Sequence, residues 1–160
     1  MNPTIHAWVD QKVKAWNLAS LSILEVGSLN ENGGVRDCFA GPYIGVDMHD
    51  VPGVDQVMNG HDLTFDTGTF DAVVCTEMLE HDPAFWLSLT EIGRVLRHGG
   101  HLLLTTRGNG FPEHRYPSDY WRFMLDAGGV LADIASCDLL ECTPDSQPEA
   151  AGIFVHGVRR

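Results

Sequence analysis

Two glutamates and a histidine follow directly after a short apolar run near the middle of the chain. The run, residues 70–75, is typical of a buried strand, and Glu77, Glu80 and His81 come after it. Because these three residues are spaced i, i+3, i+4, a helical turn directs them to one side. Two carboxylates and an imidazole can bind a divalent cation such as Mg²⁺ or Mn²⁺, and the imidazole alone can serve as a general base. A purely structural interpretation stays open, since the helix dipole favours acidic residues in a first turn.

A second group of candidates lies in the segment FPEHRYPSDYWRF, residues 111–123, which combines aromatic and cationic side chains. A long loop after a strand is often a functional lid, and these side chains suit a sugar, an aromatic ring or an acidic group. We therefore predict a substrate-side loop over residues 107–122, in which His114 is a catalytic candidate beside His81. The predicted substrate contacts are Arg107, Tyr116 and Tyr120.

Polar or flexible residues also follow three predicted strands. The first strand ends in Gly27, the second ends in Asp47, and the third is followed by Asp62. In an open parallel sheet, ligands bind at the carboxyl ends of the strands near the topological switch point. A glycine permits close backbone approach there, and carboxylates can accept the hydroxyls of a ribose or an adenine amino group, so the three together predict a nucleoside-type site. The chain contains neither GxGxxG nor GxxxxGK[ST], which disfavours a nicotinamide oxidoreductase and excludes a P-loop.

Short apolar runs alternate with helical stretches, which is the pattern of an α/β protein with a parallel sheet. We predict a single domain over residues 1–160, since a chain of this length can bury one core. The predicted strands are 23–27, 43–47, 54–58, 70–75, 101–106, 137–143 and 152–158. The first predicted helix is a lead-in helix at 4–18, within residues 1–20. The second begins at the cap residue Asp82 and ends at Gly99-Gly100. The third begins at Asp119, includes Trp121 and Phe123, and breaks near Gly128-Gly129.

Several sequence motifs at the ends of the predicted strands resemble those of the class I S-adenosylmethionine-dependent methyltransferases, in particular the small branch often labelled "type 11". The resemblance covers about residues 20 to 125 and rests on ILEVGSLNENGG, YIGVDMH, VMNGHDL, FDAVVCTEMLEH and IGRVLRHGGHLLLTT. It implies a Rossmann-like fold with flanking helices and a mostly parallel sheet of about seven strands, the last one antiparallel. The chain departs from the family's usual ExGxGxG, because only Gly27 of the three glycines is in register.

The resemblance implies S-adenosyl-L-methionine as the cofactor and a binding role for residues at several strand ends. The loop after the first strand would face the methionine part, Asp47 would bind the ribose hydroxyls, and Met48 would lie against the adenine. The implied cofactor-binding residues are Glu25, Gly27, Ser28, Asp47, Met48, Asp62, Leu63, Thr76 and Glu77.

The activity implied by the resemblance is that of an S-adenosylmethionine-dependent methyltransferase, for which we predict O-methylation of a small-molecule or sugar hydroxyl. The ExxEH string is similar to that of ubiquinone-biosynthesis O-methyltransferases and of small-RNA 3′-terminal 2′-O-methyltransferases, where it is associated with a metal. This similarity implies that Glu77, Glu80, His81 and His114 form a Mg²⁺ or Mn²⁺ site. Two alternatives stay open: a non-catalytic nucleoside-binding module of the same fold, and metal-dependent 2′-O-methylation of an RNA end.

The charge of the chain limits its partners. With 10 Lys+Arg against 22 Asp+Glu the formal net charge is −12, which disfavours nucleic acid because that binding depends on cationic contacts to phosphates. No apolar run approaches the ~18 residues that span a bilayer, and the N-terminus is not a signal peptide, so we expect no membrane partner and a cytoplasmic location.

The remaining histidines have no partner at ligand spacing, and we expect them to face solvent or to pack. They are His6, His49, His98, His101 and His156. The composition leaves the oligomeric state open.

Overall fold

A computed structural model of the chain describes residues 3–29, 33–147 and 151–160. The helices and strands are α1 (Pro3–Ala15), β1 (Ile23–Val26), β2 (Tyr43–Asp47), β3 (Gln56–Val57), β4 (Phe70–Thr76), α2 (Phe85–Val95), β5 (Leu96–Arg107), α3 (Ala127–Ile134), β6 (Cys137–Pro144) and β7 (Gly152–Arg159). Two short 3-10 helices, Arg36–Cys38 and Leu79–His81, precede β2 and α2. None of the helices in the described ranges is long and apolar enough to cross a membrane.

The seven strands form one sheet in the order β3-β2-β1-β4-β5-β7-β6. The strands from β3 to β5 are parallel to their neighbours, and β7 runs antiparallel to both β5 and β6. This confirms the predicted Rossmann-like arrangement with an antiparallel closing strand. The strand order reverses between β1 and β4, so the carboxyl ends of β1, β2, β4 and β5 lie along the edge where such sheets bind ligands.

Both faces of the central strands are buried, which explains why they read as continuous apolar runs in the sequence. In β4, Ala72 and Val74 belong to a core cluster on the face that α1 covers. Val73 and Cys75 point to the other face, where they pack in the cluster that includes α2 and α3 residues. The lead-in helix is α1 in the structure and forms one layer of the fold, and the helix after β4 belongs to the opposite layer.

Two predicted features of α2 are wrong. The helix has Ala84 as its N-cap residue in place of Asp82, whose carboxylate accepts from the N–H of Ala84 and from the hydroxyl of Ser88. It ends at Val95 rather than at Gly99-Gly100, because Leu96 pairs at once with Phe70 of β4 and begins β5. Strand pairing therefore ends the helix before the glycines are reached.

The predicted helix from Asp119 is also wrong, since residues 119–126 contain no helix and α3 begins at Ala127. The backbone N–H of Phe123 donates to the carbonyl oxygen of Arg107 at 2.9 Å, and Phe123 forms an isolated bridge with Gly108. These contacts with the end of β5 use the backbone groups that a helix would need. Phe123 is buried as predicted, at 7% exposure, although in an extended segment.

Candidate active site

A cavity of about 790 Å³ opens at the edge where the carboxyl ends of β1, β2, β4 and β5 meet. Small-molecule sites have volumes of about 300–1,000 Å³, so this cavity has room for a nucleoside cofactor and a small acceptor. The residues of the predicted site that line it are Glu25, Gly27, Ser28, Asp47, Met48, Thr76, Glu77, His81, Arg107, His114 and Tyr116. Most of the predicted site is therefore brought together in one place.

The backbone turns sharply at Gly27, where β1 enters the cavity. Gly27 has a φ of +82°, and a Cβ at this position would lie 2.8 Å from the side chain of Met78. Only glycine fits both the left-handed conformation and the close approach. The N–H groups of Gly27 and Ser28 both donate to the carbonyl oxygen of Val46 at 3.0 Å, which fixes the start of the loop against β2. The continuation of the predicted loop, residues 30–32, lies outside the described residues.

Two carboxyl groups, Glu25 and Asp47, lie on adjacent strands beside this turn. Burial raises the pKa of Glu25 to about 7, so a cationic group placed next to it would be stabilised. Oδ2 of Asp47 accepts from the backbone N–H of Leu29 at 3.3 Å, and Oδ1 accepts from the backbone N–H of His49 at 3.0 Å. Nδ1 of His49 also lies 2.8 Å from Oδ1, so the lone pair of Asp47 that remains available is on Oδ2, which can accept a ligand hydroxyl.

Two of the predicted cofactor residues, Asp62 and Leu63, lie outside the cavity lining. Asp62 is exposed, and Leu63 is buried with its N–H donating to Oε2 of Glu91 at 2.9 Å. The lining is formed instead by the residues immediately before them, Asn59, Gly60 and His61. Because β3 is only two residues long, Gln56–Val57, no strand pattern fixed which residues of the following loop would face the ligand.

His61 is held by a partner that sequence reasoning did not assign to it. Its Nε2 lies 2.8 Å from Oδ1 of Asp82. The same carboxylate accepts from the N–H of Ala84 at 2.9 Å and from the hydroxyl of Ser88 at 2.7 Å. Asp82 is thus a buried anchor that joins the loop after β3 to the start of α2.

Glu77 is turned towards β5 and away from the two histidines. It has a left-handed backbone, with φ of +55°, and non-glycine residues in this conformation are concentrated at functional sites. Thr105 Oγ1 donates to its Oε1 at 2.8 Å, and Arg107 forms an ion pair with its Oε2. Burial raises the pKa of Glu77, and the charge of Arg107 acts in the opposite direction.

The structure brings together three of the four predicted metal ligands. Ligand atoms of Glu80, His81 and His114 all lie within 4.8 Å of one another. Glu80 is fully buried, and its Oε2 accepts from Thr106 Oγ1 at 2.8 Å. Its Oε1, which has no hydrogen-bond partner among the described residues, lies 3.9 Å from Nε2 of His81. Burial raises the pKa of Glu80, which favours either a proton or a cation beside it.

The two histidines contact each other edge to face, with ring centroids 4.7 Å apart. Nδ1 of His81 lies 2.6 Å from the carbonyl oxygen of Ser118. The backbone N–H of His114 donates to Oδ2 of Asp119 at 2.7 Å. The guanidinium of Arg122 donates to both oxygens of the same carboxylate, each at 2.5 Å. Burial and the neighbouring His81 lower the pKa of His114, which is therefore neutral near pH 7. Asp119, with its pKa lowered by Arg122, is a structural anion rather than a base.

The predicted substrate residues occupy different positions. Arg107 and Tyr116 line the cavity, whereas Tyr120 is about half exposed and does not. A second hollow of about 320 Å³ continues outward between Tyr116, His49 and Arg115. An acceptor can therefore extend from the cavity between the loop after β2 and the tip of the 107–122 segment.

The stem of this segment is bound to the Leu79–His81 helix by several hydrogen bonds. The backbone N–H groups of Tyr120 and Trp121 donate to the carbonyl oxygen of Glu80, at 2.8 and 3.3 Å. The indole Nε1 of Trp121 donates to the carbonyl oxygen of Asp82 at 2.8 Å. The sequence predicted Trp121 in the core of a helix, but its side chain is 37% exposed. We call the hydrogen bond from its indole to the carbonyl oxygen of Asp82 the clasp.

Comparisons with known proteins agree with this architecture. The family model described as "Methyltransferase domain" matches residues 41–104. The chain is 29% identical over 150 residues to a ubiquinone biosynthesis O-methyltransferase of Dechloromonas aromatica, covering 82% of this chain and 60% of that protein. It is 34% identical over 120 residues to a fatty-acid O-methyltransferase of Mycolicibacterium smegmatis, covering 66% of this chain and 42% of that protein. The chain thus spans less than two thirds of the length of these relatives.

A solved structure shares the fold across nearly the whole chain. It is the 1,6-didemethyltoxoflavin-N1-methyltransferase of Burkholderia thailandensis, with bound 1,6-didemethyltoxoflavin and S-adenosylhomocysteine. The TM-score is 0.80 at 16% identity, covering 99% of this chain and 79% of that one. The seven-stranded sheet and this likeness show that the chain has a Rossmann-like methyltransferase fold, and residues 41–104 of the chain match the methyltransferase-domain family model.

Proposed function

We propose that the chain binds S-adenosyl-L-methionine and transfers its methyl group to a hydroxyl of a small molecule. The observation that carries the proposal is the arrangement at the ends of β1 and β2. There the left-handed Gly27 turn and the carboxyl groups of Glu25 and Asp47 border one cavity at the switch point of the sheet.

The residues of the cavity fit this cofactor chemically. When bound, the cofactor supplies a methyl group on a positive sulfonium and carries an ammonium group nearby. Glu25, whose burial favours a cationic neighbour, would stabilise this charge, and Asp47 would accept the ribose hydroxyls. The adenine would lie between Met48, which is largely exposed on one side of the cavity, and the Asn59–His61 loop. Leu63, whose N–H donates to Glu91, would then support that loop from behind, whereas Asp62 is exposed outside the cavity.

His81 is the base that we propose for the acceptor. A carbonyl oxygen only accepts hydrogen bonds, so the contact with Ser118 places the ring proton on Nδ1 and leaves a lone pair on Nε2. Nε2 would take the hydroxyl proton as the acceptor oxygen bonds to the methyl carbon, while the bond between that carbon and the sulfonium sulfur would break and leave a neutral thioether. His114, neutral near pH 7, would position the acceptor hydroxyl beside it. Arg107 and Tyr116 would contact the remainder of the acceptor.

A divalent cation at Glu80, His81 and His114 is a second version of the same chemistry. These three residues fit a cation, because their ligand atoms converge and Oε1 of Glu80 faces the histidines with no hydrogen-bond partner in the described part of the chain. Glu77 would stay paired with Arg107 and Thr105, outside the set. The cation would gather vicinal acceptor oxygens and lower the pKa of a hydroxyl. Turnover that survives both a chelator and Glu80→Gln would rule this version out.

Calorimetry with S-adenosylhomocysteine tests the cofactor site. We expect wild-type binding, a loss of about 2 kcal/mol of binding free energy for Asp47→Ala, which removes a charged acceptor, and no change for Asp62→Ala. The two aspartates are a matched pair, since only Asp47 lines the cavity. Absence of heat with the wild-type chain, or equal losses for the two variants, would reject the site.

Transfer of a labelled methyl group tests the activity. A panel of phenols, catechols, sugars and hydroxylated acids is the first set of acceptors, with a short RNA as a further arm. Binding without transfer to any acceptor would favour the alternative of a non-catalytic nucleoside-binding module. Transfer to the 3′ end of RNA would favour the remaining alternative, against which the net charge of −12 argues.

A further inference from the structure

Three potential metal ligands from distant parts of the sequence meet where α1 packs on the Arg36–Cys38 helix. Nε2 of His6 lies 2.9 Å from Oδ1 of Asp37 and 3.5 Å from Sγ of Cys38. The ligand atoms of all three residues lie within 4.8 Å of one another. None of the three residues lines the cavity described above. The sequence predicted no partner for His6, because Asp37 and Cys38, which contact it in the fold, are thirty-one and thirty-two positions away along the chain.

The distances match those around a tetrahedral ion. Zinc bonds of about 2.0–2.1 Å to nitrogen and 2.3 Å to sulfur give a nitrogen–sulfur separation of about 3.6 Å at the tetrahedral angle. The observed separation between His6 Nε2 and Cys38 Sγ is 3.5 Å. The nitrogen–oxygen separation of 2.9 Å needs to widen by only about 0.4 Å to reach the tetrahedral value. Rotation of the exposed Asp37 side chain supplies that change.

The surroundings favour a cation and admit one from solvent. The side chains of His6 and Asp37 are 41% and 75% exposed, and Cys38 is half-buried. Asp10 follows His6 by one turn of α1, so it lies on the same face, where Lys14 pairs with it at 2.6 Å.

We propose that His6, Asp37 and Cys38 form a zinc site that ties α1 to the Arg36–Cys38 helix. Mixed nitrogen, oxygen and sulfur ligands suit zinc rather than Mg²⁺ or Ca²⁺, which take oxygen ligands. Zinc takes the place of the thiol proton of Cys38, which leaves to solvent, and water fills the fourth position. The site is independent of the proposed methyl transfer.

The zinc site would stabilise the layer that α1 forms on the sheet. α1 buries Ile5 and Val9 against the second core cluster, and His6 lies between them in sequence. On the other side, Arg36 of the same 3-10 helix pairs with Asp55, which accepts from the N–H of Gly45 in β2 at 2.7 Å. A cation at His6 and Cys38 would therefore fix α1 relative to β2.

Cobalt titration of the full chain tests this site, because Co²⁺ replaces zinc and reports its ligands by absorption. We expect a near-ultraviolet charge-transfer band, which requires a sulfur ligand and so separates this site from the Glu80–His81–His114 cluster. Zn²⁺ added in one equivalent should bleach the band. A wild-type chain that gives no sulfur-dependent band with excess Co²⁺ would overturn the proposal.

Variants assign the band to its ligands. Cys38→Ser and His6→Ala should abolish it, Asp37→Asn should weaken it, and Cys142→Ser, which removes the other half-buried cysteine, should leave it unchanged. In the same proteins, Zn²⁺ should raise the melting temperature of the wild type and of Cys142→Ser by more than that of Cys38→Ser and His6→Ala. A sulfur-dependent band that survives Cys38→Ser would also overturn the assignment. Far-ultraviolet circular dichroism of each variant shows that the fold is kept.

Discussion

His81 and Ser118 are joined by a hydrogen bond of 2.6 Å between the imidazole Nδ1 and a backbone carbonyl oxygen. Ser118 thereby sets the tautomer of a residue that precedes it by thirty-seven positions. The imidazole presents Nε2 towards Glu80 with its lone pair available. This contact makes the 107–122 segment part of the proposed base as well as part of the acceptor site.

Replacement of His81 should separate chemistry from cofactor binding. We expect His81→Ala to lower methyl transfer by about 10²–10⁴-fold, the usual contribution of a general base, while the affinity for S-adenosylhomocysteine stays the same. Single-turnover transfer from labelled cofactor and calorimetry measure the two quantities. His98→Ala, at an exposed position of β5, is the control. An unchanged transfer rate in His81→Ala would contradict the proposed role.

Substitution of two glycines should have opposite effects on stability. Gly27→Ala places a Cβ on a left-handed residue and against Met78, and we expect a loss of about 1–2 kcal/mol in the free energy of unfolding. Gly129→Ala, in α3 and with no atom within 4 Å of the added Cβ, should gain about 1 kcal/mol from helix propensity. Urea denaturation measures both. Equal effects would show that the Gly27 turn is not constrained.

Replacement of Glu25 by glutamine should weaken cofactor binding and should raise the free energy of unfolding at high pH but not at low pH. The pKa of Glu25 is raised in the folded chain to about 7 from 4.5, so the folded chain binds this proton more tightly than the unfolded chain does. The resulting stabilisation of the fold is complete below about pH 4.5 and is lost as the pH rises through 7. Glu25→Gln should therefore be more stable than the wild type at about pH 8 and similar to it at about pH 4.5. The variant should bind S-adenosylhomocysteine more weakly. A stability difference that does not vary with pH would contradict the buried state of Glu25.

His156 should destabilise the fold in acid. Its Nε2 lies 3.0 Å from Nδ1 of His101, and Trp16, Lys12 and Glu141 also face it. Burial lowers the pKa of His156 to about 4 from 6.5, so the unfolded chain binds the proton first and stability is lost as the pH falls from 6.5 towards 4.

We expect His156→Gln to reduce the loss of unfolding free energy between about pH 7 and pH 4.5, as measured by urea denaturation. His98→Gln, which changes an exposed histidine on the same sheet, should keep the wild-type slope. An identical slope in wild type and His156→Gln would show that another group controls acid stability.

The strands and the cofactor edge could be predicted because their signals are local. Ile23–Val26 and Phe70–Thr76 are apolar runs buried on both faces, and Gly27 and Asp47 follow such runs directly. The helix from Asp119 could not be predicted correctly, because Asp119 and Arg122 have the i, i+3 spacing of a helical ion pair but here stabilise a loop. Tertiary contacts with the end of β5 override that local signal.

Side chains that meet only through the fold were also missed. His61 and Asp82 come together because the loop after β3 lies beside the start of α2, and no spacing in the sequence indicates this. The same is true of His6 and Cys38, which α1 and a 3-10 helix bring within 3.5 Å. Within the described residues, such pairs appear only after the layers have been assembled.

The clasp between Trp121 and Asp82 has a consequence for how acceptor preference can change. It fixes the stem of the 107–122 segment to the helix that carries His81, while Arg115 and Tyr116 at the tip border the second hollow. Substitutions that change only the side chains of Arg115 and Tyr116 can therefore alter the acceptor pocket without removing the contact between His81 and the Ser118 carbonyl. Exchange of residues 115 and 116 between related chains therefore offers a route to new acceptor selectivity in which His81 and His114 are kept.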